Sequence, residues 1–248
     1  MRHPRVVVFD LDGTLAESKQ PMTASMGDAL GRLIKKMPVA IMSGGGWKQF
    51  EKQFLPALPA GTPEDRLYIF PASASSCFVH RNGEWHPQYD HSFTPQQKEE
   101  VMEALDESMK ESGFAQPPQI WGEQIEDRGG EITFSALGME APLSKKEKWD
   151  PDGIKRKPLY EALKRKLPEL AIGLNATTSI DITPHGIDKA YGINRLVELT
   201  GIPVGEMLYV GDALDEGGND SVVIATGIPT HAVFGPEETE ALIENLLK

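Results

Sequence analysis

A single cysteine, Cys77, in 248 residues leaves no partner for an internal disulfide. A cross-linked secreted fold is therefore excluded, and a reducing cytoplasm is the expected setting. Basic charge is also scarce: 25 Lys+Arg stand against 37 Asp+Glu, a formal net charge of −12. A general nucleic-acid binder would carry the opposite balance, so no nucleic-acid partner is expected. Long apolar runs are missing. The first one, behind Arg2 and Arg5, breaks at Asp10, too soon for a signal peptide, and no other approaches a membrane span. The glycines at Gly44-Gly45-Gly46 lack the Lys-Ser or Lys-Thr that would complete a nucleotide P-loop. His80, His86 and His91 lie close in sequence but match no metal-site spacing. Internal repeats and low-complexity tracts are absent, and the length suits one large or two modest domains.

What is present begins at Val6-Val7-Val8-Phe9-Asp10-Leu11-Asp12-Gly13-Thr14-Leu15. Four apolar residues, three of them β-branched, read as a buried strand of a parallel sheet. The strand delivers two aspartates to its carboxyl end, where open α/β sheets place their ligands. Adjacent carboxylates repel unless a cation or a proton intervenes, so an acidic turn with no function is the weaker reading. Met207-Leu208-Tyr209-Val210-Gly211-Asp212 is a second such strand, and Gly217-Gly218-Asn219-Asp220 folds another acid back towards it. Val39-Ala40-Ile41-Met42 ends in Ser43-Gly44-Gly45, a hydroxyl and exposed N–H groups suited to an anion, though a plain βα turn has the same composition. Lys189 opens a helix, where the macrodipole disfavours a cation and a structural lysine has no reason to be.

Between these core segments the texture changes. Helices are expected at Pro95 to Ser112 and Pro158 to Leu167, and half-exposed strands at Glu131 to Leu137 and Thr178 to Thr183. The expected organisation is α/β: residues 1–85 and 186–248 form a Rossmann-like parallel-sheet core. Residues 86–185 form an inserted α+β cap domain, an antiparallel sheet with helices on one face, setting substrate specificity. Helices are also expected from Ser18 to Lys36, starting near Thr23, and from Trp47 to Leu58, with closing strands at Val222 to Ala225 and His231 to Phe234. Between Arg128 and Lys166 ten basic residues outnumber six acidic ones. Such a patch could draw in phosphates or could be solvated helix faces.

The decapeptide at Val6 resembles the first motif of the haloacid dehalogenase-like phosphohydrolases, and Ser43, Lys189 and Asp212 fit the motifs that follow. The resemblance implies that Asp10 is the nucleophile and Asp12 the general acid/base, with Ser43, Gly44 and Lys189 on the phosphate. It implies a Mg²⁺ held by Asp10, the Asp12 carbonyl, Asp212 and Asp220. An insert between the second and third motifs is the subfamily IIB arrangement. Within it, Arg128-Gly129, Ser179-Ile180-Asp181, Asp188-Lys189 and Gly211-Asp212 are similar to the eukaryotic-type phosphomannomutases. The likeness implies that Arg128 holds a distal phosphate and that Ser179 and Asp181 contact sugar. Lys19-Gln20 stands where those enzymes have Arg-Gln, and Ser135 stands where they have a second phosphate-binding arginine. Lysine for arginine loses the bidentate fork. The expectation is therefore a sugar-phosphate phosphatase working through an aspartyl-phosphate. A phosphomannomutase is the alternative, and a silent binding protein on the same fold a remote one. The expected partner is a small phosphorylated metabolite, and a homodimer through the cap stays open.

Overall fold

In the computed structural model, which describes residues 3–248, the opening apolar run is a wholly buried strand, Val6–Asp10 (β1). Arg2 lies outside the described residues. After β1 come α1 (Ala24–Lys36), β2 (Val39–Met42), a short α2 (Trp47–Gln49), β3 (Leu67–Phe70) and the hairpin β4 (Ser76–Arg81) and β5 (Glu84–Asp90). The Thr23 side chain caps α1 by accepting from Met26 N. Next are α3 (Pro95–Ser112), β6 (Ile125–Asp127), β7 (Ile132–Ser135), α4 (Leu143–Trp149), α5 (Lys157–Lys166), β8 (Leu170–Asn175) and β9 (Ser179–Pro184). The chain ends with α6 (Lys189–Thr200), β10 (Met207–Gly211), β11 (Thr230–Ala232) and α7 (Pro236–Leu246). Two compact units result, one from the segments up to Asp90 and from Ile187 to Lys248, the other from His91–Gly186.

The first unit holds a seven-stranded sheet in the order β11-β10-β1-β2-β3-β4-β5. Its first five strands are parallel, and β4 and β5 add an antiparallel edge. β1 is central, and Phe9, Leu30, Ile41, Phe50 and Phe54 fill one side of it. Val8, Met42, Ile193, Leu196 and Tyr209 fill the other. A strand covered on both faces has no polar alternation, which is why β1 and β10 read as continuous apolar runs.

The second unit is a four-stranded antiparallel sheet, β6-β7-β9-β8. Ile132, Phe134, Ile180 and Ile182 pack with Val101 and Leu105 of α3 and Leu159 and Leu163 of α5. Thr133, Ser135, Ser179 and Asp181 alternate with those core residues and so belong to the opposite face. Arg156, one of the ten basic residues between Arg128 and Lys166, is only 2% exposed and bound to Asp150. Its guanidinium also donates to the Asn175 and Ser179 carbonyls, bracing the turn between β8 and β9. Ala176 in that turn is exposed and has φ 43°, a left-handed conformation that a β-carbon disfavours. Ala176→Gly should stabilise the protein by roughly 0.5–1 kcal/mol, because strain relief outweighs the extra freedom of glycine in the unfolded chain. A higher urea midpoint at unchanged slope is the expected readout; an equal or lower midpoint would reject it.

Several expectations need correction. The helix drawn from Trp47 to Leu58 is three short pieces: α2, a π-helical turn Phe50–Phe54 and a 3₁₀ turn Leu55–Ala57. Pro56 cannot donate to a continuing α-ladder, and the wider π turn buries Phe50, Gln53 and Phe54 together. Val222 to Ala225 belongs to a 3₁₀ helix, Ser221–Thr226, ending at Gly227 with φ 79°. Four apolar residues are too few for their period to separate helix from strand. β5 continues past Trp85 to Asp90, so the first unit reaches beyond residue 85 before the insert begins. The expected α/β class holds, with the hairpin adding an antiparallel edge to the parallel core sheet.

Candidate active site

Parallel register fixes which strand ends lie side by side. Asp10 pairs with Met42, placing Ser43 one residue past the end of β2, while Asp212 follows the last residue of β10. Asp220 returns to the same edge through the 213–219 loop, its backbone N–H donating to Ala213 O at 3.1 Å. The close approach of these groups needs two glycines, one after β1 and one at the end of β10. A β-carbon on Gly13, at φ 82°, would collide with the Asp212 carboxylate, and one on Gly211 would collide with Asp220.

Lys189 enters from the first turn of α6, whose N-cap Asp188 accepts from Tyr191 N at 2.8 Å. The local cap offsets the unfavourable position of a cation there. Lys189 is 2% exposed, and its Nζ donates to Asp10 Oδ1 and to Asp220 Oδ1, each at 2.5 Å. Tyr209 Oη donates to the same Asp220 oxygen at 2.6 Å. Tyr209 was legible in the sequence only as a strand residue; its hydroxyl belongs to the site.

The electrostatics follow from this crowding. Burial pushes the Asp10 carboxyl up to about 7; Lys189 opposes the rise, while Asp220 and Asp212 add to it. Asp212, the more open member, is also raised, by desolvation first and then by Asp220. Burial works against the charged form of Lys189, yet Asp10 and then Tyr209 and Asp220 hold its ammonium well above the ordinary lysine range. Carboxylate oxygens of Asp10, Asp212 and Asp220 lie within 4.8 Å of one another. Three hard oxygen donors with a shortage of positive charge are a donor set that fits a divalent cation.

Asp12 does not join that cluster through its side chain. Its Oδ1 accepts from Lys19 N at 2.7 Å and from Gln53 Nε2 at 2.9 Å, and its Oδ2 accepts from Gln49 Nε2 at 2.6 Å. Only its main chain is left to face a metal. Ser43 is buried, and its Oγ accepts from Gly45 N at 3.0 Å. Gly44 stands beside it in the same turn, and Lys19 adopts φ 60° at the end of the first loop.

In the second unit, Arg128 Nη1 donates to Glu131 at 2.6 Å, and its Nε and Nη2 donate to Glu126 at 2.9 and 2.8 Å. Burial disfavours this guanidinium, but Glu131, Glu126 and Asp181 outweigh burial and keep it charged. Asp181 accepts from Thr133 Oγ1 at 2.8 Å and from Asn175 Nδ2 at 2.7 Å, and Ser179 lies two residues away on the same strand face. Arg128, Ser179 and Asp181 thus belong to one polar surface of that unit. Ser135 is not an open position. It is 1% exposed, with its Oγ donating to Gly138 O at 3.2 Å and lying 3.5 Å from Thr178 Oγ1. An arginine substituted there would be forced into packed protein.

Comparison with known proteins agrees with this arrangement. The family model for eukaryotic phosphomannomutase matches residues 26–248. A probable phosphomannomutase from Caenorhabditis elegans is 27% identical over 254 residues, covering 98% of this chain and 95% of the relative. A phosphomannomutase from Spinacia oleracea is 25% identical over 244 residues, covering 94% and 92%. Among solved structures, a haloacid dehalogenase-like hydrolase from Bacteroides thetaiotaomicron superposes with a TM-score of 0.66 at 16% identity, covering 98% of this chain and 99% of that one. An IMP-bound nucleotidase from Plasmodium falciparum gives 0.64 at 15% identity, covering 98% and 68%. The two structural matches speak to the fold alone. With the family model spanning all but the first strand and loop, the chain belongs to the eukaryotic phosphomannomutase family.

Proposed function

We propose that this protein moves a phosphoryl group between two positions of a hexose phosphate through an aspartyl-phosphate on Asp10, as a Mg²⁺-dependent mutase. The observation that carries the chemistry is the buried set of Asp10, Lys189 and Asp220 beside Asp212. Asp10, Asp212, Asp220 and the Asp12 carbonyl would hold the metal. When bound, Mg²⁺ would screen the nucleophile from an anionic substrate and polarise the phosphoryl group.

Asp10 attacks phosphorus, and the bond from phosphorus to the substrate oxygen breaks as that oxygen takes a proton from Asp12. In the second half, Asp12 recovers a proton from the acceptor hydroxyl, whose oxygen displaces Asp10 from phosphorus. Lys189 balances the charge that shifts between Asp10 and the phosphoryl oxygens, and Ser43 and the Gly44 N–H supply donors on the other side. Arg128, Ser179, Asp181 and Lys19 are proposed to bind the remainder of the substrate.

One observation favours isomerisation over hydrolysis: relatives matched along 94–98% of this chain are named phosphomannomutase. Hydrolysis is the second reading, favoured by the engagement of Arg128 with Glu126 and Glu131, which a distal phosphate would have to displace or share. A panel of hexose, pentose and short-chain phosphates, with a hexose bisphosphate activator, separates them. Isomerised hexose phosphate should form faster than free phosphate; phosphate release outpacing isomerisation would make the enzyme a phosphatase.

A further inference from the structure

We infer that Gln49 and Gln53 are positioning residues that act through Asp12, fixing the carboxylate from which protons pass to and from the substrate oxygen. The inference rests on the acid/base role proposed for Asp12 and adds to it the device that aims that group.

Both oxygens of Asp12 act as acceptors, and the two glutamines fill them from one side. Gln49 Nε2 has two protons. One serves Asp12 Oδ2 and the other Gln53 Oε1, both at 2.6 Å. Gln53 Nε2 then closes the ring on Asp12 Oδ1 at 2.9 Å. The carboxylate can only accept, so the ring also dictates which end of each amide faces it.

The glutamines are themselves held. Gln53 is 5% exposed, and its backbone carbonyl accepts from Met22 N at 2.8 Å. Its neighbours Phe50 and Phe54 are locked in the apolar core. The π turn Phe50–Phe54 turns Gln53 inward together with those two aromatic rings. Gly45 makes room for Gln49, since a β-carbon there would overlap the Gln49 side-chain oxygen. A rigid segment presenting two amides to one carboxylate is costly to arrange and has no use as packing, because an apolar pair would fill the same space. As a means of holding a proton-transfer group in line, it accounts for every bond in the ring.

The test replaces each glutamine by methionine, which keeps length and loses the amide. Substrates are a hexose 1-phosphate, whose alkoxide needs a proton, and p-nitrophenyl phosphate, whose leaving group does not. Gln53→Met should lower kcat on the hexose phosphate about 10- to 100-fold, with KM changed less than about threefold. The p-nitrophenol burst should stay within about threefold. In an Asp12→Asn background, Gln53→Met should have no further effect on the hexose phosphate. Gln49→Met, at a less buried position, should give the same pattern if Gln53→Met folds poorly. Equal losses on both substrates, or a full loss retained beside Asp12→Asn, would assign the glutamines to structure and overturn the proposal. Hexose phosphate turnover unaffected by Asp12→Asn alone would instead remove the acid/base reading on which the proposal stands.

Discussion

Asp10→Asn should abolish turnover while leaving the fold in place. The amide has nearly the shape of the carboxylate, so β1 and its buried neighbours are not disturbed, but a neutral amide is a poor nucleophile towards phosphorus. Loss of a covalent nucleophile removes about 10⁴-fold or more of rate. Asp10 also carries the unfavourable burial of the site, pushed up to about 7 with Asp220 and Asp212 nearby. Removing its charge relieves repulsion as it breaks the contact with Lys189, so thermal stability should fall little. Three measurements belong together: isomerase and phosphatase rates, the melting temperature, and phosphate trapped on the protein after rapid quench. Wild type should carry label on Asp10 and the variant none. Residual turnover within tenfold of wild type, at normal stability, would show that another group attacks.

How much of this site could be read from residues alone depended on whether position in the chain implied position in space. Asp10, Ser43 and Asp212 end apolar strands, and parallel pairing brings such ends to one edge without further information. Lys189 was legible because a helix start is a poor place for a cation. Asn82-Gly83 between β4 and β5 is a pair that favours a tight hairpin turn, and both residues adopt left-handed φ, 54° and 86°. By contrast, β6 and β8 gave no usable signal. β6 is three residues of mixed exposure, and β8 contains Gly173 and ends in exposed residues, so neither carries an alternating pattern. Gln49 and Gln53 were hidden for a different reason. Their i, i+4 spacing is visible, but two glutamines on a helix read as solvated face until Asp12 is seen between their amides. The packing of Ser135 was also out of reach, because a lone serine in a strand does not show which neighbours enclose it.

Lys189→Met should make the fold dependent on metal. In wild type the ammonium neutralises Asp10 and Asp220 inside the protein, with both partners at 5% side-chain exposure or less. Methionine fills the space but leaves those carboxylates without their buried cation, a change that costs about 3–5 kcal/mol in comparable buried pairs. Without metal the variant should therefore melt well below wild type. Adding Mg²⁺ should recover most of the difference, because a cation that binds only the folded state stabilises it by mass action. The midpoint of that recovery should lie at lower Mg²⁺ than any stabilisation of wild type, since the site has lost a competing positive charge. Proton uptake offers the same relief. A carboxyl raised in the folded state contributes stability that is present below its unfolded value and is lost as pH rises through its folded one. Asp10 is already raised to about 7, and losing Lys189 removes a group that lowers it. The metal-free variant should then go on losing stability above about pH 7, where the loss through wild-type Asp10 is ending. Turnover should remain lost even with Mg²⁺, because nothing replaces Lys189 beside the attacking oxygen, and chelation should stop the wild-type enzyme by exposing its substrate to unscreened carboxylates. A metal-free variant as stable as wild type would contradict the charge balance proposed for the site. A stable variant that still turns over would remove Lys189 from the chemistry.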